Sequence, residues 1–419
     1  MNYSDFFKMI PEASLVAILI VLFVADFVTA KTEERKWFNP LASVLLLLNT
    51  FVCLIPMDAQ TAFGGMYVTS SAVDVMKAIL SMGTFIVILQ SRVWAAKSGK
   101  EGEFYMLIVS TLLGMFAMMS AGNFLMFFLG LEMASVPLAC AVAFDMYRKN
   151  SAEAAAKFIL TATFSSGVML YGISFLYGEF GTLYFADITA KMQATPLTIM
   201  GLVFFFSGLG FKISLVPFHF WTADTYQGAP TTVTGYLSVI SKGAAAFTLL
   251  SILFHVFGGI MEYWHVLLMI VVVLSITIAN LFAVRQSELK RFMAFSSISQ
   301  AGYIMLTAIG NDWASSVSAL SYYVLIYVVA NMAVFTIISV VEQNNNGKTN
   351  IDDYNGFYQT NPRLSFLMTL AMFSLGGIPP FAGMFSKFFV FMSGVNGADI
   401  NSTMGAWSYA VVFIALINT

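Results

Sequence analysis

The segment LTIMGLVFFFSGLGFKISLVPFHFW, residues 197–221, decides the fold. As a helix it is long enough to cross the roughly 30 Å apolar layer of a bilayer. Yet Lys212 stands inside it and Pro217 interrupts it. A charge at the bilayer centre costs about 2.5–3.5 kcal/mol on the mildest scale, so an intramembrane lysine points to function. Pro217 has no N–H, which frees the carbonyl of Ile213. A freed carbonyl at membrane depth is tolerated only against protein or a water-filled cavity. The stretch predicts a broken membrane helix with a buried group that can gain and lose a proton.

The same pattern recurs on either side. Lys242 lies in TTVTGYLSVISKGAAAFTLLSILF (231–254) and Glu132 in NFLMFFLGLEMASVPLACAVAF (123–144). Lys387 follows a second break, GGIPPFAGMFSKFFVFM (376–392), where Pro379 and Pro380 free the carbonyls of Leu375 and Gly376. Several buried ionisable groups beside broken helices suggest a path for protons or ions. Glu132 and Lys212 read either as a buried ion pair tying two helices or as a proton-handling pair. Desolvation opposes the lysine's charge and a nearby carboxylate restores it. Lys242 has no carboxylate in its own span, so backbone carbonyls are its simplest partners. His219, just after Pro217, is a candidate relay or channel-mouth residue. His255 and His265 lie towards the opposite side. Ser296, Ser297, Ser299, Gln300 and Tyr303 either line a wet path or bond neighbouring helices. Lys77, three residues after Asp74, reads as an interfacial lysine snorkelling to the headgroups. Asp145, Arg148, Lys149, Glu153 and Lys157 read as a solvated loop cluster.

The chain has 419 residues, 59% hydrophobic and only 10% charged, with a net charge of −2. Soluble domains carry about 25% charged residues, so this is an all-α polytopic membrane protein. Nothing in its charge points to nucleic acid. Cys53 and Cys140 form no CxxC and suggest no disulfide framework, metal site or cluster. The N-terminus, with Lys8 alone before the first apolar run, reads as a retained helix rather than a cleaved signal peptide. About thirteen spans are expected, near 12–30, 38–56, 74–91, 104–121, 122–145, 155–178, 197–221, 230–257, 264–284, 292–310, 314–341, 364–395 and from 405 onward. The last looks cut inside a helix.

Of the 20 Lys and Arg, 14 fall at odd-numbered connections: Lys31, Arg35, Lys36, Arg92, Lys97, Lys100, Arg148, Lys149, Lys157, Arg285, Lys290, Arg291, Lys348 and Arg363. Even-numbered connections hold only Lys191. The positive-inside rule places the odd connections in the cytoplasm and the N-terminus outside. The two breaks lie five spans apart. That spacing suggests a three-helix segment (1–103) followed by two inverted five-helix repeats (104–257 and 258–419), a plan that puts ion sites near the midplane.

The stretches GFKISLVPFHFWTADTYQGAP (210–230), ELKRFMAFSSISQAGY (288–303), GGIPPFAGMFSKFFVF (376–391) and FLGLEMASVPL (128–138) resemble the antiporter-like membrane subunits of respiratory complex I, nearer the N type than the L or M types. The resemblance covers about 104–395; the first three spans match in layout. It implies fourteen helices, broken seventh and twelfth helices, and proton translocation driven by distant NADH-to-quinone electron transfer. It makes Glu132 the helix-5 carboxylate, and Lys212, Lys242 and Lys387 the lysines of helices 7, 8 and 12. No cofactor is expected in this chain; FMN and iron–sulfur clusters are expected in other subunits. The implied partners are complex I membrane subunits of the M, A, J, K and L types, in a bacterial inner membrane. Ala223 stands where the W-x-P-D run has proline, which implies a less rigid loop. Gln300 stands where many relatives have a histidine, which removes a titratable step. The alternative is a subunit of a stand-alone cation/proton antiporter. A haem carrier is disfavoured, since three histidines form no two facing pairs. A pure scaffold leaves the buried lysines unexplained.

Overall fold

A computed structural model describes residues 3–29, 35–55, 59–146, 148–345 and 347–419. Lys31 lies outside the described residues. After a 3₁₀ turn come α1 (Ile10–Thr29) and α2 (Phe38–Cys53), then a short antiparallel hairpin of β1 (Gln60–Ala62) and β2 (Tyr67–Thr69). Next are α3 (Ser71–Ser98), α4 (Glu101–Met119), α5 (Phe124–Val142), α6 (Lys149–Phe180), α7 (Phe185–Lys191) and α8 (Pro196–Ile213). The chain continues through α9 (Phe220–Gly228) and α10 (Thr231–Tyr236), then a π-helical turn at Leu237–Ser241 that leads without a gap into α11 (Lys242–His255). The remainder is α12 (Met261–Ala283), α13 (Leu289–Leu306), α14 (Trp313–Asn344), α15 (Phe357–Thr360), α16 (Pro362–Gly376), α17 (Ala382–Val395) and α18 (Thr403–Ile417).

Among the described residues ten helices are long and apolar enough to cross a membrane. The shorter α2, the broken pair α16–α17 and α18 complete the thirteen crossings expected. The apolar runs become helices because a bilayer offers the backbone no hydrogen-bond partner but itself. Polar caps set several starts: Asn123 accepts from the Met126 N–H at 2.8 Å, and Asp312 from that of Ser315 at 2.9 Å.

The connections gather on two faces, as the alternation of basic residues predicted. On one, the hairpin reaches the α4–α5 corner: Val68 N–H donates to the Ser120 carbonyl (2.8 Å) and Gly122 N–H to that of Met66 (2.7 Å). The same corner bridges onward, Phe185 N–H donating to the Gly122 carbonyl at 3.0 Å. Thr189 donates to the His255 carbonyl at 2.6 Å. On the other face, Arg148 pairs with Asp145 and Glu342, and Lys157 with Glu153 and Asp224. Arg291 also reaches Asp224, at 2.7 Å. The expected loop cluster therefore exists. Lys290, counted at an odd-numbered connection, is buried, and donates to the Ala229 carbonyl at 2.8 Å.

The stretch Thr231–His255 and α13 are the most enclosed parts of the bundle. α4 and α5 pack backbone to backbone. A Cβ on Gly114 would stand 2.4 Å from the Ala134 nitrogen, and one on Gly130 2.5 Å from the Met118 nitrogen. Only glycine permits that approach, a common device where lipid gives no hydrophobic drive for helix association.

Candidate functional site

Both predicted breaks are present. α8 ends at Ile213, with Ser214 in a left-handed conformation (φ +68°). Leu215 and Ser214 cap it by donating back to the carbonyls of Gly210 and Phe211. Trp221 Nε1 crosses the gap to the Phe211 carbonyl at 3.0 Å, and the Val216 N–H is taken by Ser275 of α12 at 2.9 Å. α16 ends the same way at Gly376, with Gly377 at φ +79°. The two carbonyls expected to be freed there are captured by side chains. Gln300 Nε2 donates to Leu375 O at 3.2 Å, and Lys387 Nζ to Gly376 O at 3.1 Å. Lys387 also lies 4.7 Å from the centre of the Tyr303 ring, a cation–π contact. Gly377 makes room for it: an added Cβ would meet the lysine's Cδ at 2.9 Å.

Lys212 closes α8 and is 5% exposed. Its ammonium donates to Ser135 Oγ at 2.7 Å and lies 5.9 Å from the Phe158 ring centre. It makes no ion pair with Glu132. That carboxylate, one turn before Ser135 on α5, accepts instead from Ser166 of α6 at 2.5 Å. The ion pair that was one of the two sequence readings is thus open, with a serine holding each charge.

Lys242 is 1% exposed and begins α11 directly after the π-helical turn, a feature common at functional sites. Its partner is a side chain rather than the expected carbonyl: Nζ donates to Ser297 Oγ at 2.7 Å and sits 5.4 Å from the Tyr226 ring centre. Ser297 Oγ is 3.3 Å from Tyr226 Oη and 3.3 Å from the Ser238 carbonyl it donates to. Asn331 donates to Ser238 Oγ.

Two helices string these groups together. α9 carries Thr222, Thr225 and Tyr226 from the first break to Lys242. His219 caps its start, 9% exposed, its ring 4.6 Å from that of Phe220. Ser214 Oγ, His219 Nδ1, Thr222 Oγ1 and Thr225 Oγ1 are buried without a protein partner, a row of polar atoms of the kind that binds internal water. α13 then carries Ser297, Gln300 and Tyr303 at three-residue spacing, the helical interval for one face, from Lys242 to Lys387. Gln300 also accepts from Tyr323. Of the expected serines, Ser297 joins this chain directly. His255 packs against Trp313 near the hairpin face and His265 against Trp264; both stand apart from the lysines. Among the described residues no group of three or more His, Cys, Asp or Glu could hold a metal ion.

Lys77 overturns its sequence reading. It is wholly buried, 2.7 Å from Glu12 Oε1, and donates to Tyr67 Oη at 3.1 Å. Glu12 lies 65 residues earlier, on α1, so the sequence around Lys77 gave no sign of it. Ser135, Ser166 and Tyr226 were also missed. Ser135 stands three residues after Glu132, a spacing that could have marked it; Tyr226 had no such signal.

Comparisons with known proteins show the family and the fold. Residues 121–413 match the family model described as the membrane domain of NADH:quinone oxidoreductase and Mrp antiporters. The chain is 56% identical to NADH-quinone oxidoreductase subunit N of Phocaeicola vulgatus, over 100% of this chain and 87% of that protein. It is 48% identical to the subunit of that name from Azobacteroides pseudotrichonymphae, over 100% and 86%. A chain of respiratory complex I from Thermus thermophilus superposes with a TM-score of 0.79 at 29% identity, covering 97% of this chain and 86% of that one. A chain of the Mrp complex from a Dietzia species shares the fold at 19% identity (TM-score 0.77), covering 100% of this chain and 79% of that one.

Proposed function

The chain belongs to the N-subunit family of NADH-quinone oxidoreductases, and on that premise we propose that it moves protons across a membrane as a non-redox, multi-pass subunit of such an enzyme. One observation carries this reading: three lysines lie buried inside apolar spans, away from the basic-loop face where Lys290 sits, and each is held by a single neutral hydrogen-bond acceptor. Lys77 provides the contrast. A buried ammonium beside a carboxylate is fixed in its charged form, whereas Lys212, Lys242 and Lys387 have only hydroxyl or carbonyl partners. Their protonation is therefore open to small changes in nearby charge.

Lys242 is the centre of the relay. The α9 row of Thr222 and Thr225 links it towards Lys212, with His219 at the start of that row, and the α13 strip links it towards Lys387. Glu132 acts by position. When it closes on Lys212 it holds that ammonium charged; when Ser166 holds it away, the proton is released towards Lys242. Lys387, with its break, loads or releases protons at the far end.

In this reading the units are residues 1–103, 104–257 and 258–419, the last two being the inverted repeats. The basic-loop face lies in the cytoplasm and the hairpin face, with the N-terminus, lies outside the inner membrane. FMN, iron–sulfur clusters and quinone chemistry belong to other subunits, and the neighbours are of the M, A, J, K and L types. The test is Lys212→Met in the assembled complex. NADH oxidation should lose most of its proton pumping while assembly survives; pumping at the wild-type rate overturns the assignment. Sodium-dependent exchange without NADH would instead favour a stand-alone antiporter.

A further inference from the structure

The helices outside the relay enclose a second set of ionisable groups. Glu12 (α1), Asp74 and Lys77 (α3) are 3%, 3% and 0% exposed. Lys77 Nζ lies 2.7 Å from Glu12 Oε1 and 4.0 Å from Asp74 Oδ1. Tyr67 Oη donates to Glu12 Oε2 at 3.0 Å, and Ser120 donates to Glu12 Oε1 at 3.4 Å. Glu12 is therefore well provided with donors. Asp74 is not: Oδ1 accepts from Thr69 at 2.9 Å, but Oδ2 is buried with no partner.

The other groups facing this cluster supply no charge to balance it. α2 contributes Cys53, whose thiol approaches Asn49, and β2 contributes Tyr67. Two carboxylates against one ammonium leave one negative charge uncompensated in the protein interior. A buried carboxylate that must share its ammonium with a closer acid takes up a proton more readily than one paired alone. Of the two acids, Glu12 has the close ammonium and two hydroxyl donors, and Asp74 has the bare oxygen.

The cluster is not sealed. Thr69 and Val73 line a cavity of about 750 Å³ on the hairpin face, bounded also by Gly122, Asp187, Thr248 and His255. Asp187, an acid on the cavity wall, accepts from Thr182 at 3.0 Å. Thr69 thus touches the cavity on one side and Asp74 on the other. Thr248 and His255 belong to α11, the helix that Lys242 begins, so one cavity adjoins both the cluster and the relay helix.

We propose that Asp74 is a proton-binding site that holds one exchangeable proton and communicates with the hairpin-face cavity through the Thr69 hydroxyl. The charge of the Glu12–Lys77 pair sets its occupancy. The site stands whether or not its proton is among those the relay moves.

Infrared difference spectra of the assembled complex in native membranes test it. Subtracting Asp74→Asn from wild type should leave one protonated-carboxyl band that shifts in D₂O. Glu12→Gln should abolish the same band although Asp74 is intact, because one carboxylate then balances Lys77. That second variant reads the site even where Asp74→Asn fails to assemble. Thr69→Val should keep the band and slow its D₂O shift at least tenfold. A band that survives in Glu12→Gln overturns the proposal, as does a wild-type spectrum with no such band until sodium and potassium are removed, which would assign the site to a monovalent cation.

Discussion

Ser166→Ala tests the idea that Glu132 is a movable charge. Glu132 lies three residues, about 4.5 Å of helical rise, from the serine that holds Lys212, and that serine is 2.7 Å from the ammonium. The separation of the charges is then roughly 7 Å. With an effective dielectric constant near 20, attraction is about 2 kcal/mol at that distance and about 4 kcal/mol at ~4 Å. Closure gains about 2 kcal/mol. Against it stands the Ser166 hydrogen bond, worth about 1.5–3 kcal/mol to a charged acceptor. The open and closed arrangements are therefore nearly balanced. Removing the hydroxyl shifts the balance towards closure by roughly 13- to 160-fold, at 1.36 kcal/mol per factor of ten. A closed pair traps the proton on Lys212. Proton uptake driven by NADH in inverted vesicles should fall about tenfold or more in Ser166→Ala, with normal assembly, and return in Ser166→Thr. Equal pumping rates in the two variants would refute the reasoning, since the hydroxyl would then not set the position of Glu132.

Other outcomes follow from packing and charge. Gly377→Ala places a Cβ 2.9 Å from Lys387 at φ +79°, a backbone region that disfavours other residues by about 1–2 kcal/mol; pumping should drop severalfold with the complex still assembled. Gly130→Ala forces α4 and α5 apart, with overpacking of about 1–3 kcal/mol, and should lower both the yield and the melting temperature of the complex. Asp224, outside the membrane helices, is held below its ordinary value of 3.8 first by the Lys157 hydrogen bond and also by Arg291. A depressed carboxyl stabilises the fold above its unfolded value, and that contribution is lost as pH falls through the lower folded value. Asp224→Asn should therefore reduce thermal stability at pH 7 and make progressively less difference as pH falls below the ordinary carboxylate value, as read by thermal unfolding across that range.

Much of the membrane architecture was legible because lipid leaves few choices. Apolar length located the crossings, and prolines located both breaks down to the carbonyls of Leu375 and Gly376. The identity of the lysines was legible as well, since a charge in an apolar run has no innocuous explanation. Their partners were not. Ser297 stood in a polar strip already marked as path lining, but Ser135 and Tyr226 sit in segments whose composition is ordinary, and only the reach of Lys212 from α8 to α5 and the packing of α9 on α13 bring them to an ammonium. Lys77 was misjudged for the same reason. Its distance from the end of its helix is visible in the sequence, but the carboxylate that buries it comes from another helix. Of the two readings of Glu132 and Lys212, the closed ion pair is absent, because two serines compete for the same charges.

The hairpin's hold on the α4–α5 corner bears on where this polypeptide can be divided. By sequence the first 103 residues look like an appendage to two repeats. By hydrogen bonding they complete the first of them, for the Ser120 carbonyl and the Gly122 N–H find their partners in Val68 and Met66. A chain begun at residue 104 would leave that corner with unmet backbone groups and strip α4 of its neighbours α1 and α3. The boundary read from sequence and the unit of folding do not coincide here, and separate expression of the two parts should yield a working bundle only when both are present to reassociate.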